Sequence, residues 1–270
     1  MEKHRVTVIM GVYNCEETLE ESLNSLLNQT YQNFKIVICD DKSTDNTLKI
    51  SESFCSKYPD KFLLLRNEEN KGLNYTLNKC LQHAEGDYIA RMDGDDISLS
   101  KRFEKQVSFL NEHTEFSIVS SQMTYFDEKG DWGTSNPKEQ PQPKDLIKGV
   151  PFAHAPCMIR NEAYKAVDGY SVSKRLIRVE DYHLWMKMYS IGLRGYNIQE
   201  PLYKMRDDQK AAKRRNIRNR INESYVKYLV VKNLKLPFRY NFFIIRPILV
   251  GLIPRKLYII LHQAKLARNL

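Results

Sequence analysis

The chain has 270 residues, with 42 Lys+Arg against 33 Asp+Glu and a formal net charge of +9, and it is long enough to bury a core without disulfide or metal staples. Its five cysteines, at 15, 39, 55, 80 and 157, lack CxxC spacing, which excludes a disulfide framework and a zinc ribbon and points to a reducing compartment. The positive charge is confined: Lys204 to Leu270 hold 17 basic and 3 acidic residues against 25 and 30 in the remainder, which with no RNA- or DNA-reading motif weakens a nucleic-acid-binding role.

The N-terminal "MEKHRVTVIM" enters a strand-like run without the apolar core and cleavage site of a signal peptide, which predicts a cytoplasmic protein. That strand ends at Gly11. Asn14 and Glu17 have the spacing of a capping box, and Leu19, Leu23, Leu26 and Leu27 follow helical spacing. "FKIVICDD" is a second strand, "KSTDNT" a turn, and a helix follows around Leu48 to Phe54. "KFLLLRN" is a third strand, "GLNYTLNKCL" a helix with Leu73, Leu77 and Leu81 on one stripe, and "DYIARM" a fourth strand. This β-α alternation predicts a parallel sheet with helices on its faces, and ligands in such sheets bind beyond the carboxyl ends of the strands.

Farther on, "SIVSSQMTYFDEKGDW" reads as a strand and hairpin arm and "NPKEQPQPK" as a surface loop. "NEAYKAVDGY" is a helix and turn. "EDYHLWMKMYSIG" is a helix with Leu184, Trp185, Met188 and Ile191 inward, and "YNIQEPLYKMR" is strand-like. In the basic tail, "KAAKRRNIRNRINESYVKYLVVKNLK" places Ile217, Ile221, Tyr225 and Tyr228 or Leu229 on one helical face. "NFFIIRPILVGLIP" is apolar but interrupted by Arg246 and Pro247, too short for the ~20-residue helix that crosses a bilayer. Such a tail, residues 207–270, is expected to lie on an anionic membrane surface.

Three strand tips, "GVYNC", "DDKSTD" and "DGDD", fall on one rim. Clustered carboxylates at neutral pH need a cation, a shared proton or full solvation. Asp93 and Asp95, two apart at a strand end, suit Mg²⁺ or Mn²⁺, which take few protein carboxylates and fill their shell with water and substrate phosphate. Gly94 between them allows a diphosphate close to the backbone. Asp96 stays open between the cluster and a helix cap before "ISLSKRF". The order of "DGDDISLSKRFE" does not follow an EF-hand, the first turn has no GxGxxG, and "GVYNCEET" lacks the Gly-rich loop of a sugar nucleotidyltransferase.

"VTVIMGVYNCEETLEESLNSLLNQTYQNFKIVICDDKSTDNT", "NEENKGLNYTLNKCLQHAEGDYIARMDGDDISLSKRFEKQ", "HAPCMIRNEAYKAVDGY" and "EDYHLWMKM" resemble, in order, the successive motifs of the family 2 inverting glycosyltransferases. The resemblance runs over roughly residues 5 to 206 and implies an α/β GT-A catalytic domain at 1–206, with a nucleotide-sugar half to about 98 and an acceptor half from 99. It implies that Tyr13, Asp41, Lys71, Arg91 and Asp93 bind the nucleotide-sugar. Tyr13 would stack on the base, Asp41 would accept from a uracil N3 hydrogen, and Asp95 and Asp93 would hold the Mn²⁺ or Mg²⁺. Asp181 matches the general base, with Glu180 positioning it or meeting the acceptor, and His154 matches a family histidine facing the acceptor cleft. His183 reads as structural. Many relatives carry a histidine after the strand matching "YKMR", where this chain has Arg206, Asp207 and Asp208. The implied activity is transfer from a UDP-sugar to a saccharide hydroxyl on a lipid-linked glycan, as in bacterial surface polysaccharide synthesis, at the inner face of the plasma membrane. A polyprenyl-phosphate glycosyltransferase is the near alternative.

Overall fold

The computed structural model describes residues 6–207 and 217–251. Strands β1 (Val6–Val12), β2 (Phe34–Asp40), β3 (Phe62–Arg66) and β4 (Tyr88–Arg91) alternate with helices α1 (Leu19–Leu27), α2 (Thr47–Lys57) and α3 (Leu73–Leu81). β1 pairs in parallel with both β2 and β4, and β2 with β3, the arrangement that short connections through helices require. Beyond β4 the sheet continues with β8 (Met158–Arg160), β6 (Ile118–Asp127), β9 (Gly195–Arg206) and β5 (Ile97–Ser98), while β7 (Gly130–Thr134) forms a hairpin on β6. β8 runs antiparallel to β4 and β6, whereas β9 runs parallel to β6. One sheet therefore joins both halves of the chain.

Side chains alternate across β1 and divide the core in two. Ile9 packs with Val37, Leu77, Ile89 and Trp185 on one face. Val6, Val8 and Met10 pack with Leu19, Leu23 and Phe103 on the other. Helices α4 (Arg102–Glu112), α5 (Asn161–Ala166) and α6 (Glu180–Ser190) complete the layers, followed by α7 (Ile217–Asn233) and α8 (Phe242–Gly251).

Three expectations change. Asn14 does not cap α1: its φ is 48° and its Oδ1 accepts from the Thr44 backbone N–H at 2.9 Å, so the helix starts at Leu19. The side chain instead laces the loop after β1 to the loop after β2. Ile191 is the C-cap of α6 and is exposed, where the helical stripe has run out. The tail is not merely an appendage, because Val226 and Val230 of α7 join the first core cluster. Buried Lys227 donates to the Ile147 carbonyl at 2.7 Å. The outward stripe of α7 still contains Ile217, Ile221 and Tyr228, all exposed, while Tyr225 lies under Arg175. Parts of the tail reading, residues 208–216 with Asp208 and residues 252–270, lie outside the described residues.

Candidate active site

The three strand tips converge as the sheet topology requires, around a cavity of about 970 Å³ lined by Tyr13, Asp41, Lys71, Asp93, Asp95 and Glu180 among others. Tyr13 follows β1 and is 48% exposed, an open ring face at one end. Asp41, just past β2, is buried. Its Oδ1 accepts from Asn67 Nδ2 at 2.8 Å and the Lys71 backbone N–H at 2.9 Å, and its Oδ2 from Gly72 N–H at 2.9 Å. A carboxylate offers about four acceptor positions, so Asp41 fixes the 67–72 loop and keeps one position for a ligand. The Lys71 ammonium pairs with Glu69 at the surface.

At the end of β4, Asp93 receives both terminal nitrogens of Arg91, at 2.8 and 2.7 Å. Arg91 is buried and absent from the cavity wall. It stands behind Asp93 and sets that carboxylate's orientation. Burial opposes its charge, but Asp93 more than offsets this and raises its pKa. Buried Arg102, at the start of α4, locks the same strand end by donating from Nη2 to the Arg91, Ala155 and Cys157 carbonyls at 2.8, 3.2 and 3.2 Å. An arginine inside a helix pattern gave no sequence signal for this clamp.

The turn itself is tied from several sides. Ser22 donates to the Asp93 carbonyl at 2.7 Å, Thr18 to the Gly94 carbonyl at 2.8 Å, and the Asp93 N–H to the Tyr203 hydroxyl at 3.3 Å. A Cβ on Gly94 would sit 2.8 Å from Cys15 Sγ and 3.3 Å from Val12 Cγ1. The glycine therefore serves the packing of this turn against β1 and its loop. Asp96 is no helix cap: α4 starts at Arg102, and buried Asp96 accepts from the Arg206 N–H at 2.8 Å. Burial, then Asp93 and Asp95, push its pKa well up.

Carboxylate oxygens of Asp93, Asp95 and Asp96 lie within 4.8 Å of one another. An all-oxygen set of this kind fits a hard divalent cation. Arg206 closes one side, donating to the Asp95 carbonyl at 3.1 Å and to Glu21 at 2.7 Å, and stacking over Phe126 at 4.5 Å.

Across the cavity, α6 opens with Glu180 and Asp181. Glu180 is on the wall and Asp181, half-buried, is one residue behind it. The Tyr182 N–H donates to Asp181 Oδ1 at 2.7 Å. Burial, and then the charge of Glu180, push Asp181 up to about 7; burial also raises Glu180. His154 is half-buried and is not on the cavity wall. Its Nε2 is 2.7 Å from the Tyr170 hydroxyl, its ring meets Trp185 edge-on at 5.9 Å, and burial, with Arg91 second, keeps it neutral. His183 is structural, lowered to about 4 by burial first and then Lys187.

A sheet whose carboxyl edge presents an aromatic platform, a carboxylate cluster and a facing acid pair defines a nucleotide-sugar glycosyltransferase of the GT-A type. The Glycosyl transferase family 2 pattern matches residues 7–167, and the chain belongs to that family. It is 44% identical to putative glycosyltransferase EpsE of Bacillus subtilis over 250 residues, 93% of this chain and 90% of EpsE. It is 29% identical to WfaP of Escherichia coli, a UDP-Glc:alpha-D-GlcNAc-diphosphoundecaprenol beta-1,3-glucosyltransferase, over 71% of this chain and 73% of WfaP. S. aureus TarS 1-349, solved with UDP-GlcNAc, has the same fold with a TM-score of 0.68 at 21% identity, over 92% of this chain and 71% of TarS.

Proposed function

We propose that this protein is a metal-dependent, inverting glycosyltransferase that moves a hexosyl or N-acetylhexosaminyl group from a UDP-sugar to a saccharide hydroxyl of a lipid-linked glycan, in surface polysaccharide synthesis at the inner membrane face. The observation that carries it is the single cavity joining Tyr13 and Asp41 at one end to Asp93, Asp95 and Glu180. The names of WfaP and TarS support the uridine donor, and that of WfaP the lipid diphosphate acceptor.

In this reading the Tyr13 ring stacks on the base and the remaining acceptor position of Asp41 takes the uracil N3 hydrogen. Asp93 and Asp95 would hold a Mg²⁺ or Mn²⁺, whose Lewis acidity would supply charge stabilisation for the leaving diphosphate. Arg91 keeps Asp93 oriented. Asp181, with a proton affinity near neutrality, takes the acceptor hydroxyl proton, and Glu180 in front of it orders the acceptor. A hydroxyl deprotonated on the far side of the sugar from the diphosphate attacks in one displacement, inverting the anomeric carbon.

The test is a panel of nucleotide-sugars screened for divalent-metal-dependent thermal stabilisation and turnover, with and without chelator, on the wild type and Asp95→Ala. We expect stabilisation by a uridine nucleotide that needs the cation, lost in Asp95→Ala while the melting temperature without ligand changes little. Full turnover in excess chelator would overturn the metal assignment.

A further inference from the structure

Part of the cavity wall comes from one segment, Val172 to Arg178, between α5 and α6. It contains three exposed cations, Lys174, Arg175 and Arg178. Arg175 lies over the Tyr225 ring of α7 at 5.4 Å. Lys174 and Arg178 are on the cavity wall, and the Arg178 charge acts on Glu180 beside it, lowering that carboxyl's proton affinity against the rise from burial. Arg178 also adopts φ 67°, a left-handed conformation that costs a bulky residue on the order of 1–3 kcal/mol and is typically retained where a ligand uses it. Two large apolar side chains in the same segment face solvent, Val172 at 59% and Ile177 at 49% exposed. The segment is pinned to the tail, since Asn222 of α7 donates to the Ile177 carbonyl at 3.0 Å, and Ile221 beside it is exposed. Two exposed cations on a cavity wall, next to apolar side chains that lead onto a helix, complement a ligand with a doubly charged head and a hydrocarbon chain.

We propose that Lys174 and Arg178 form a subsite for the diphosphate of a lipid-diphosphate-linked acceptor, with Val172, Ile177 and Ile221 receiving the first part of its hydrocarbon chain. This rests on the glycosyltransferase reading above and deepens it, assigning the acceptor's charged linkage to a place on this chain. The donor diphosphate belongs to the carboxylate cluster and its cation, so the two diphosphates have separate partners. The acceptor sugar then projects from the Val172–Arg178 wall toward Glu180, two residues beyond Arg178.

The test uses the full chain with its donor site filled by saturating UDP and Mn²⁺, and farnesyl diphosphate, farnesol and inorganic pyrophosphate as titrated probes in calorimetry. The variants are Lys174→Gln, Arg178→Gly and Ile177→Ser; glycine at 178 removes the charge and relieves the left-handed backbone, so folding is retained. We expect farnesyl diphosphate to bind the UDP-loaded wild type. Lys174→Gln and Arg178→Gly should each weaken it about tenfold, the order expected from losing one charge-assisted pair, with UDP affinity unchanged. Ile177→Ser should weaken farnesyl diphosphate but not pyrophosphate. A fall in UDP affinity in the cation variants would assign them to the donor and overturn the proposal. So would farnesyl diphosphate binding that is absent in the wild type, indifferent to the three variants, or matched by farnesol. Failure of UDP and Mn²⁺ to bind at all would instead remove the glycosyltransferase reading on which this inference rests.

Discussion

At Asp181 the proton affinity set by burial and by Glu180 bears on stability and, in the proposed mechanism, on rate. If Asp181 is the base, its titration near 7 means that it is spent below that pH, so transfer should fall about tenfold per unit as the pH drops below about 6.5. Asp181→Asn should keep UDP binding and lower transfer by about 10² to 10⁴; near wild-type turnover would make Glu180, on the wall itself, the base. Stability moves the other way. The folded pKa lies above the ordinary 3.8, so the folded state holds the proton more tightly, and the stability this supplies at acid pH is lost as the pH rises from about 4 to about 7. Asp181→Asn, which preserves an acceptor for the Tyr182 N–H, should therefore raise the melting temperature at pH 8 by about 2–6 °C and hardly at pH 4. The places of Tyr13, Asp41 and Asp95 on the cavity wall were legible because each follows a strand on one rim. That Arg91 and His154 stand off the cavity wall was not legible, because adjacency in sequence does not show which face of a strand or loop a side chain takes; buried Arg91, inside β4, leaves Asp93 on the wall.

At the scale of elements, the β1-α1-β2-α2-β3-α3-β4 half was readable because β1, β2 and β4 are buried, largely apolar runs and α1 and α3 carry leucine stripes. The strand order after β4 was not, since β6, β8 and β9 pair across long sequence separations that periodicity does not encode. The same long-range contacts hold the Asp93–Asp96 turn, with Ser22 and Thr18 coming from α1 and its N-cap and Tyr203 from β9. Gly94→Ala tests whether that turn has one workable position. The added methyl meets Cys15 and Val12, and overpacking of this kind costs about 1–3 kcal/mol. We expect a melting temperature lower by several degrees and metal-dependent UDP affinity reduced by more than the stability loss alone would suggest, because both aspartates ride on the displaced backbone. Wild-type UDP affinity in Gly94→Ala would mean that the turn adapts and that its buttressing does not set the site.

For the whole molecule, the proposed lipid-linked acceptor would have to be met by a catalytic domain of mildly acidic composition. The tail has two faces. One face of α7 is built into the core through Val226, Lys227 and Val230, so deleting residues 207–270 would uncover Trp185 and its neighbours, and lost membrane binding in such a truncation would not isolate an anchor. The outer surface offers a cleaner test. Phe238 is 86% exposed and Phe242 66%, with Ile245 and Leu249 also exposed, and Arg239 and Arg246 lie among them. α8 has ten residues, about 15 Å of helix, and among the described residues no helix is long and apolar enough to cross a membrane. Seating four such side chains in the acyl boundary would contribute roughly 4–8 kcal/mol, to which the basic residues add a salt-sensitive attraction for anionic headgroups. We predict that the full chain co-sediments with vesicles rich in anionic lipid, that high salt releases only part of it, and that replacing Phe238, Phe242, Ile245 and Leu249 together by serine abolishes the salt-resistant fraction. These side chains stand largely in solvent, so the melting temperature should change little, and UDP binding should be retained. Equal pelleting of the fourfold variant and the wild type at high salt would refute α8 and its approach as the membrane contact, and the proposed Lys174–Arg178 subsite would then have to reach a lipid-linked acceptor without an anchored tail.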